Sequence, residues 1–259
     1  MDMLKKYGET AKRYEDYLMT LDGAVGVMHL GGIARSRADE HSDIDIAVFS
    51  YKPIKGLKTG EQLSEEGYDV EIFNIVMSKG FDDWSEIQKE AYDEGFIARD
   101  TDGQVKSFIT KALEYKDEYR LPRVAQLIFN LAWHGWIYTP FRNRMVKGYN
   151  WIIPRDIWFG RGDPNNAFYL AQVCLQDFIE LLFAINKKWT PDYKWRYIKS
   201  KKLAFLPENY IKKTEELLFT EWTEENWEHK AAVFQSLLDE TVAAVEPDLP
   251  DDWYALIEH

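Results

Sequence analysis

The sequence contains a single cysteine, Cys174, and no apolar stretch free of charge over the ~18 to 20 residues that a membrane span requires. One cysteine cannot form an intramolecular disulfide. Cys174 lies in the apolar run Leu170 to Ala184, where we expect it to be a buried small hydrophobic residue. Residues Met1 to Lys6 lack the pattern of a secretory signal peptide, so a cytoplasmic location without membrane contact is expected.

The sequence also lacks an extended basic stripe, because its basic-rich stretches are confined to residues 142–161 and 187–202. The net charge is −12, and residues 208–259 account for almost all of it, with 14 Asp and Glu against 3 Lys. Nucleic acid is therefore less favoured as a partner than a small or cationic molecule. An acidic segment that only keeps the protein soluble is the alternative.

With 259 residues, of which 46% are hydrophobic, the chain can bury a substantial core. Apolar residues at helical spacing predict an opening helix from Leu4 to Leu18. A passage rich in glycine and proline, residues 53–67, is predicted to be a loop. Runs rich in β-branched residues or alternating with charge predict strands at Ala24–Leu30, Ile44–Phe49, Tyr68–Val76 and Phe96–Ala98.

After about residue 105 the spacing of apolar residues is helical only. Pro122 and Pro207 are expected at helix starts. The predicted fold class is α+β: a small mixed β-sheet with helices, residues 1–105, followed by an all-α region, residues 106–259. The predicted helices beyond the first are Phe81–Tyr92, Gln104–Tyr119, Pro122–Lys147, Asn166–Lys187, Pro207–Phe219 and Glu224–Val245.

Three carboxylates stand out in the first region. Asp43 and Asp45 are two residues apart at the start of a predicted strand, so both point to one face, about 6 to 7 Å apart. Glu71 would join them from a neighbouring strand. Three carboxylates on one face repel one another unless a cation lies between them. The pattern therefore indicates Mg²⁺ or Mn²⁺ with a phosphate-bearing substrate. With two metal ions in such a site, one could activate the oxygen of an acceptor molecule while the other binds the triphosphate of a nucleotide substrate.

Gly31 and Gly32 end the preceding strand without side chains that would obstruct a phosphate. Backbone N–H groups of the turn that follows can bind phosphate oxygens. Gly31-Gly32, then Ser42-Asp43-x-Asp45, then a strand with Glu71, resembles the motif of the DNA polymerase beta-type nucleotidyltransferase superfamily. The helical second half and Val70–Asn74 make it most similar to bacterial antibiotic nucleotidyltransferases of the kanamycin and lincosamide kind.

The resemblance implies metal roles for Asp43, Asp45 and Glu71, and nucleotide-phosphate roles for Gly31, Gly32 and Ser42. It implies a nucleotidyltransferase domain over residues 1–105 and a helical acceptor-binding domain over residues 106–259. Two departures from the family pattern bear on nucleotide affinity: Gly32 replaces the commoner Ser, and Ser36 stands where many members have Gly.

Several residue roles have alternatives. Asp69 lies on the same strand face as Glu71 and competes with it. Arg35 suits a phosphate contact, but a surface arginine is an equal explanation. For a general base, the polar stripe of the helix from Asn166 offers Glu180 first and Asp177 second. A solvent-facing stripe explains that pair at least as well.

The expected reaction transfers a nucleoside monophosphate from an NTP to a hydroxyl of a small, antibiotic-like acceptor, with release of pyrophosphate. Mg²⁺, or Mn²⁺, would be the cofactor and the NTP a co-substrate. The alternatives are transfer to a partner protein or RNA, as in antitoxin-like enzymes, and a non-catalytic nucleotide-sensing module. The sequence does not address the oligomeric state.

Overall fold

A computed structural model describes residues 3–36, 39, 42–58, 60–65, 68–136 and 156–257 of the chain. The chain divides into two compact units, Met1–Glu114 and Tyr115–His259. The first unit combines a mixed β-sheet with helices, and the described part of the second unit is helical. The predicted α+β fold class is thereby confirmed.

The first unit is built around a five-stranded sheet with strand order β3-β4-β2-β1-β5. Strands β2 and β4 are parallel, and every other neighbouring pair is antiparallel. The elements in chain order are α1 (Met3–Leu18), β1 (Ala24–His29), α2 (Gly31–Ala34), β2 (Ile44–Ser50), β3 (Glu61–Glu65), β4 (Tyr68–Val76), α3 (Glu86–Asp93), β5 (Phe96–Asp100) and α4 (Gln104–Ala112).

Both faces of the sheet are covered. Ile44 and Ile46 of β2 pack with Tyr7 and Leu18 of α1 on one face. The alternate residues of β2 belong to the other face, where Phe49 packs in a second cluster that includes side chains of α3 and α4. This two-sided burial explains why the sequence of β2 is almost continuously apolar. Its carboxylate, Asp45, is on the face of α3 and α4.

The second unit is a helical bundle with its own core. It comprises α5 (Asp117–Trp133), α6 (Ile157–Gly160), α7 (Pro164–Ile185), α8 (Tyr193–Ser200), α9 (Tyr210–Phe219) and α10 (Trp227–Val245). The core joins buried side chains of α5, α7 and α10, among them Leu131, Phe178 and Phe234. Cys174 is fully buried in it, as predicted, and burial raises the pKa of its thiol far above the usual value.

Helix α7 is long and apolar enough to cross a membrane by length and composition, with mean hydropathy 1.5 over its most apolar window. Half of that window is buried within the protein. The core helix of a protein that spans no membrane can have the same length and composition. Two charged residues, Asp177 and Glu180, lie within this helix, in agreement with the sequence analysis, which found no apolar stretch of this length free of charge.

Strand β3 was predicted to be loop, and this prediction is wrong. Its sequence, Glu-Gln-Leu-Ser-Glu, has no β-branched residue and no apolar alternation. Backbone pairing with β4 makes it a strand all the same, as the antiparallel edge of the sheet. Local side-chain pattern carries no information about such pairing, because the hydrogen bonds come from a partner strand.

One further prediction is wrong in position, and one helix was missed. Pro122 lies inside α5, not at its start, because the helix begins five residues earlier at Asp117. Acidic Asp117 and Glu118 in the first turn favour that earlier start. Helix α8 was not predicted; Asp192 caps it, accepting a hydrogen bond from the Lys194 N–H at 3.1 Å. Helix α5 ends at Trp133, so the prediction of one helix from Pro122 to Lys147 is also wrong at its C-terminal end; residues 137–147 lie outside the described residues.

Helix α3 is shorter than the predicted Phe81–Tyr92. Ser85 fixes its start through a capping box: the Ser85 hydroxyl accepts from the Gln88 N–H at 3.2 Å, and the Gln88 side chain accepts from the Ser85 N–H at 2.9 Å. The residues before Ser85 therefore stay outside the helix.

Gly26 in β1 has no room for a side chain. An added Cβ would overlap Val105 Cγ2 and lie 2.5 Å from the Arg99 carbonyl oxygen. We expect Gly26→Ala to lower the free energy of unfolding by about 1–3 kcal/mol in urea titrations. Gly8→Ala is the control: it lies in α1 with open space around its Cα, and it should raise stability by about 0.5–1 kcal/mol. An unchanged stability for Gly26→Ala would show that the β1–α4 packing is loose.

Candidate metal and nucleotide site

The three carboxylates singled out in the sequence come together. Asp43, Asp45 and Glu71 each offer an oxygen, and these oxygens all lie within 4.8 Å of one another. Asp43 is exposed, and the other two are partly buried at the end of the sheet. The group combines carboxylate oxygens only, a donor set that suits the hard cations Mg²⁺ and Mn²⁺.

Strand register produces this grouping. In the parallel pair β2–β4, Asp45 lies beside Glu71 and Ile44 lies beside Val70. Side chains alternate between faces, so Asp45 and Glu71 share a face while Ile44 and Val70 enter the core. Asp69, the competing residue, is exposed and pairs across to Ser64 of β3. It does not belong to the carboxylate group.

The segment that leads into β2 is held by hydrogen bonds. The buried Tyr7 donates its hydroxyl to the Ser42 carbonyl at 2.8 Å. The Ser42 hydroxyl donates to the Asp39 carboxylate at 3.1 Å and accepts from the Asp39 N–H at 3.0 Å. The Ser42 side chain thus shapes the turn before Asp43. Its predicted contact with a nucleotide phosphate stays a prediction.

Gly31 connects the end of β1 to the carboxylates. The preceding Leu30 N–H donates to the Asp45 carbonyl at 2.9 Å, which brings the start of α2 against β2. Gly31 has a φ of 60°, and an added Cβ would overlap the Asp45 Oδ2 atom. Glycine is therefore needed here both for its backbone conformation and for its lack of a side chain. Gly32 follows it within α2, and the phosphate roles of both glycines stay predictions.

Arg35, predicted to contact nucleotide, forms an ion pair with Glu94 at the end of α3. A second carboxylate, the buried Glu90, lies 3.8 Å from its guanidinium. These contacts link α2 to α3, and the sequence reasoning missed both acidic partners. The predicted helix ended at Tyr92, so no signal in the sequence indicated that Glu94 and Glu90 share a helix face. A phosphate contact by Arg35 stays a prediction.

Ser36 follows α2 with a φ of 53°, a left-handed conformation that favours glycine. This explains in physical terms why glycine would suit the position. The Ser36 side chain is exposed, and its role in nucleotide binding stays a prediction.

The sequence analysis also missed a group of aromatic side chains next to Asp45. Tyr92 of α3 is buried, stacks on Trp84 at 4.5 Å between ring centroids, and meets Phe49 edge-on. Burial, together with the negative charge of Asp45, raises the pKa of its phenol far above the usual value. Tyr92 therefore stays neutral and gives this side of the carboxylate group an apolar wall.

The contacts of His29 are those of a structural residue. It is buried in β1, stacks on Phe96 at 5.0 Å, and its Nε2 lies 3.4 Å from the Glu15 carboxylate. Burial lowers the pKa of His29 even though Glu15 acts to raise it. Glu15 is in turn paired with Lys12 and Arg99. This network joins α1 to the sheet.

Glu180 and Asp177, the candidate general bases, lie on α7 in the second unit. Glu180 accepts from Arg123 and from Arg196 through different oxygens, so both of its oxygens are engaged. Burial and the charge of Glu180 raise the pKa of Asp177, against the lowering effects of Asn130 and the arginines. The role of general base, which the sequence analysis gives to Glu180 first and Asp177 second, stays a prediction.

No protein-family model matches the sequence, and no curated protein matches it. Among solved structures, the chain is similar to a nucleotidyltransferase-like protein from Exiguobacterium sibiricum 255-15. The sequence identity is 14% and the TM-score is 0.45, over 92% of this chain and 77% of that one. A similarity of this size carries no information about activity.

The close approach of Gly31 to Asp45 leads to a test of the site. We expect Gly31→Ala to displace the Asp45 carboxylate and weaken Mn²⁺ binding by about 10-fold or more, measured by calorimetry. Gly60→Ala is the matched control, because Gly60 also has a positive φ, 72°, while its Cβ would remain 3.9 Å from Glu71. Equal affinities for the two variants would mean that the Gly31–Asp45 contact does not shape the site.

Proposed function

We propose that this protein is a metal-dependent nucleotidyltransferase. It would transfer a nucleoside monophosphate from an NTP to a hydroxyl of a small acceptor and release pyrophosphate. The observation that carries the proposal is the grouping of Asp43, Asp45 and Glu71 within 4.8 Å on one sheet face, next to a glycine that leaves Asp45 uncovered.

The donor set fits the proposed cofactor. Three carboxylates this close repel one another, and a divalent cation removes that repulsion. The group has no thiolate or imidazole member, which favours Mg²⁺ or Mn²⁺ over softer metals. When bound, such ions would neutralise phosphate charge and increase the acidity of the acceptor hydroxyl.

The chain's own residues would divide the remaining tasks. Asp43, Asp45 and Glu71 would hold the ions. Gly31 and Gly32 would leave space for the triphosphate, and the α2 backbone would offer N–H groups to its oxygens. Arg35 would contribute positive charge at the same end of the sheet, held in orientation by Glu94.

We propose a small hydroxylated acceptor, antibiotic-like in character. Glu180 first and Asp177 second stay the candidates for the residue that takes its proton. The acidic segment 208–259 would favour an acceptor with positive charge. The need for an NTP fits a cytoplasmic enzyme.

The test is incubation with each α-labelled NTP, Mg²⁺ and a panel of aminoglycosides, lincosamides, candidate proteins and tRNA. We expect label on a small acceptor, and Glu71→Gln should reduce transfer at least about 100-fold, since metal binding supplies several kcal/mol. Asp69→Asn is the matched control on the same strand face, and its transfer rate should stay within about twofold of wild type.

Three outcomes would contradict this proposal. A wild-type rate of transfer by Glu71→Gln would show that the reaction does not depend on the carboxylate of Glu71. Label found only on protein or RNA would replace the small acceptor by a macromolecule. NTP binding without transfer to any acceptor would indicate a nucleotide-sensing module.

A further inference from the structure

Helix α8 has its polar and apolar side chains in the reverse of the usual arrangement. Its buried residues, Arg196 and Ser200, are polar. Arg196 pairs with Glu180 of α7, and the Ser200 hydroxyl lies 2.6 Å from the hydroxyl of Tyr210 in α9. Helices at a protein surface normally bury their apolar residues. In α8 polar side chains face inward instead, and apolar ones are left in contact with water.

Apolar side chains are exposed on α8 and also on the neighbouring α9. Tyr193 and Ile198 of α8 are 70% and 44% exposed. Ile211 and Phe219 of α9 are 44% and 66% exposed. Single exposed apolar residues are common on proteins, whereas a group of them marks an interaction site. These four residues therefore indicate such a site if they share one surface.

Contacts between the two helices place these residues on one surface. Lys201, just after α8, pairs with Glu215 of α9 at 3.1 Å. Tyr197 meets Phe219 edge-on, with ring centroids 5.2 Å apart. The two contacts are four residues apart in each helix and run in opposite order, so the helices lie antiparallel with an exposed seam between them. Ile211 lies one helical turn before Glu215 and extends this seam. We name the exposed side of the two helices the α8–α9 surface.

The α8–α9 surface carries positive charge. Lys194 and Lys202 are exposed, four residues before and after Ile198, and the exposed Lys212 follows Ile211. None of these three lysines forms a salt bridge with a residue that the structure describes. The surface therefore attracts anions.

Acidic residues do not cancel this charge. Helix α8 contains none, and the two of α9 are engaged: Glu215 with Lys201, and Glu216 with His229 of α10 at 2.6 Å. The whole chain has a net charge of −12, but exposed charges more than about 8 Å away are largely screened at physiological salt. The local charge of the surface therefore decides which partner it attracts.

The exposed groups favour one kind of anionic partner over another. Proteins that bind nucleic acid rely on arginine for phosphate contacts and on aromatic rings for base stacking. The arginine of α8, Arg196, is turned inward, and the exposed cations are lysines. Tyr193 suits either partner, but Ile198 and Ile211 offer no ring to a base. Acyl chains cover aliphatic side chains, and lysine ammonium groups pair with lipid phosphates, so the combination favours an anionic bilayer.

We propose that the α8–α9 surface lies on the anionic face of a lipid bilayer. Lys194, Lys202 and Lys212 pair with headgroup phosphates. Ile198 and Phe219 enter the boundary between headgroups and acyl chains. The expectation of no membrane contact rested on the lack of a spanning segment, and a surface that lies on the bilayer needs none. No residue of this surface takes part in the proposed nucleotidyl transfer, so either proposal can fail without the other.

The test is co-sedimentation of the protein, without nucleotide or metal ion, with phosphatidylcholine vesicles that contain about 30% phosphatidylglycerol. We expect saturable binding, and partitioning at least about tenfold weaker onto pure phosphatidylcholine. Lys194→Gln should weaken binding about fivefold, because one headgroup contact is lost. Ile198→Ser should weaken it about threefold or more, because less apolar area enters the bilayer.

Each variant has a matched control in the first unit. Lys106→Gln removes an exposed lysine near the start of α4, as Lys194→Gln does near the start of α8. Ile87→Ser changes an isoleucine of α3 that is 39% exposed, close to the exposure of Ile198. Both controls should bind the vesicles as the wild type does.

The proposal is overturned if the protein does not sediment with the anionic vesicles, or if it partitions equally onto pure phosphatidylcholine. It is also overturned if the controls lose as much binding as Lys194→Gln and Ile198→Ser. Binding of an oligouridine strand that is tighter than vesicle binding, and that Lys194→Gln weakens, would assign the surface to nucleic acid instead. Thermal unfolding of each variant separates lost binding from lost structure.

Discussion

The parallel pairing of β2 with β4 is the constraint on which the candidate site depends. Its register sets Asp45 beside Glu71, and the two-residue periodicity of a strand adds Asp43 to the same face. A shift by one residue would turn these carboxylates into the core and bring Ile44 and Ile46 to the surface. Burial of those isoleucines against α1 therefore fixes the position of the acidic group.

Around this register, the neighbouring elements are arranged to leave the carboxylates accessible. Leu30 is hydrogen-bonded to the Asp45 backbone, and Gly31 follows without a side chain that would displace the Asp45 carboxylate. Arg35 forms an ion pair with Glu94 and lies 3.8 Å from the carboxylate of Glu90, and these contacts link α2 to α3. Three carboxylates held this close together repel one another and lower the stability of the fold. A bound cation would remove this repulsion.

Asp43 and Asp45 could be predicted from a local signal, their spacing of two on a strand. Glu71 reaches them through the pairing of β4 with β2, and it was expected from the resemblance to a family motif. Strand β3, the ion pairs of Arg35 and those of Glu180 depend on partners distant in sequence, and no pattern within the segment shows them. The start of α5 was misplaced because Pro122 is tolerated inside the helix, where proline normally marks a first turn.

Anomalous diffraction from crystals soaked in Mn²⁺ tests most directly whether Asp43, Asp45 and Glu71 form a cation site. We predict a manganese peak within about 2.0–2.3 Å of oxygens from all three side chains, with Asp69 outside this distance. A peak elsewhere on the protein with none at these carboxylates would contradict the account, because the grouping would then be only an acidic surface.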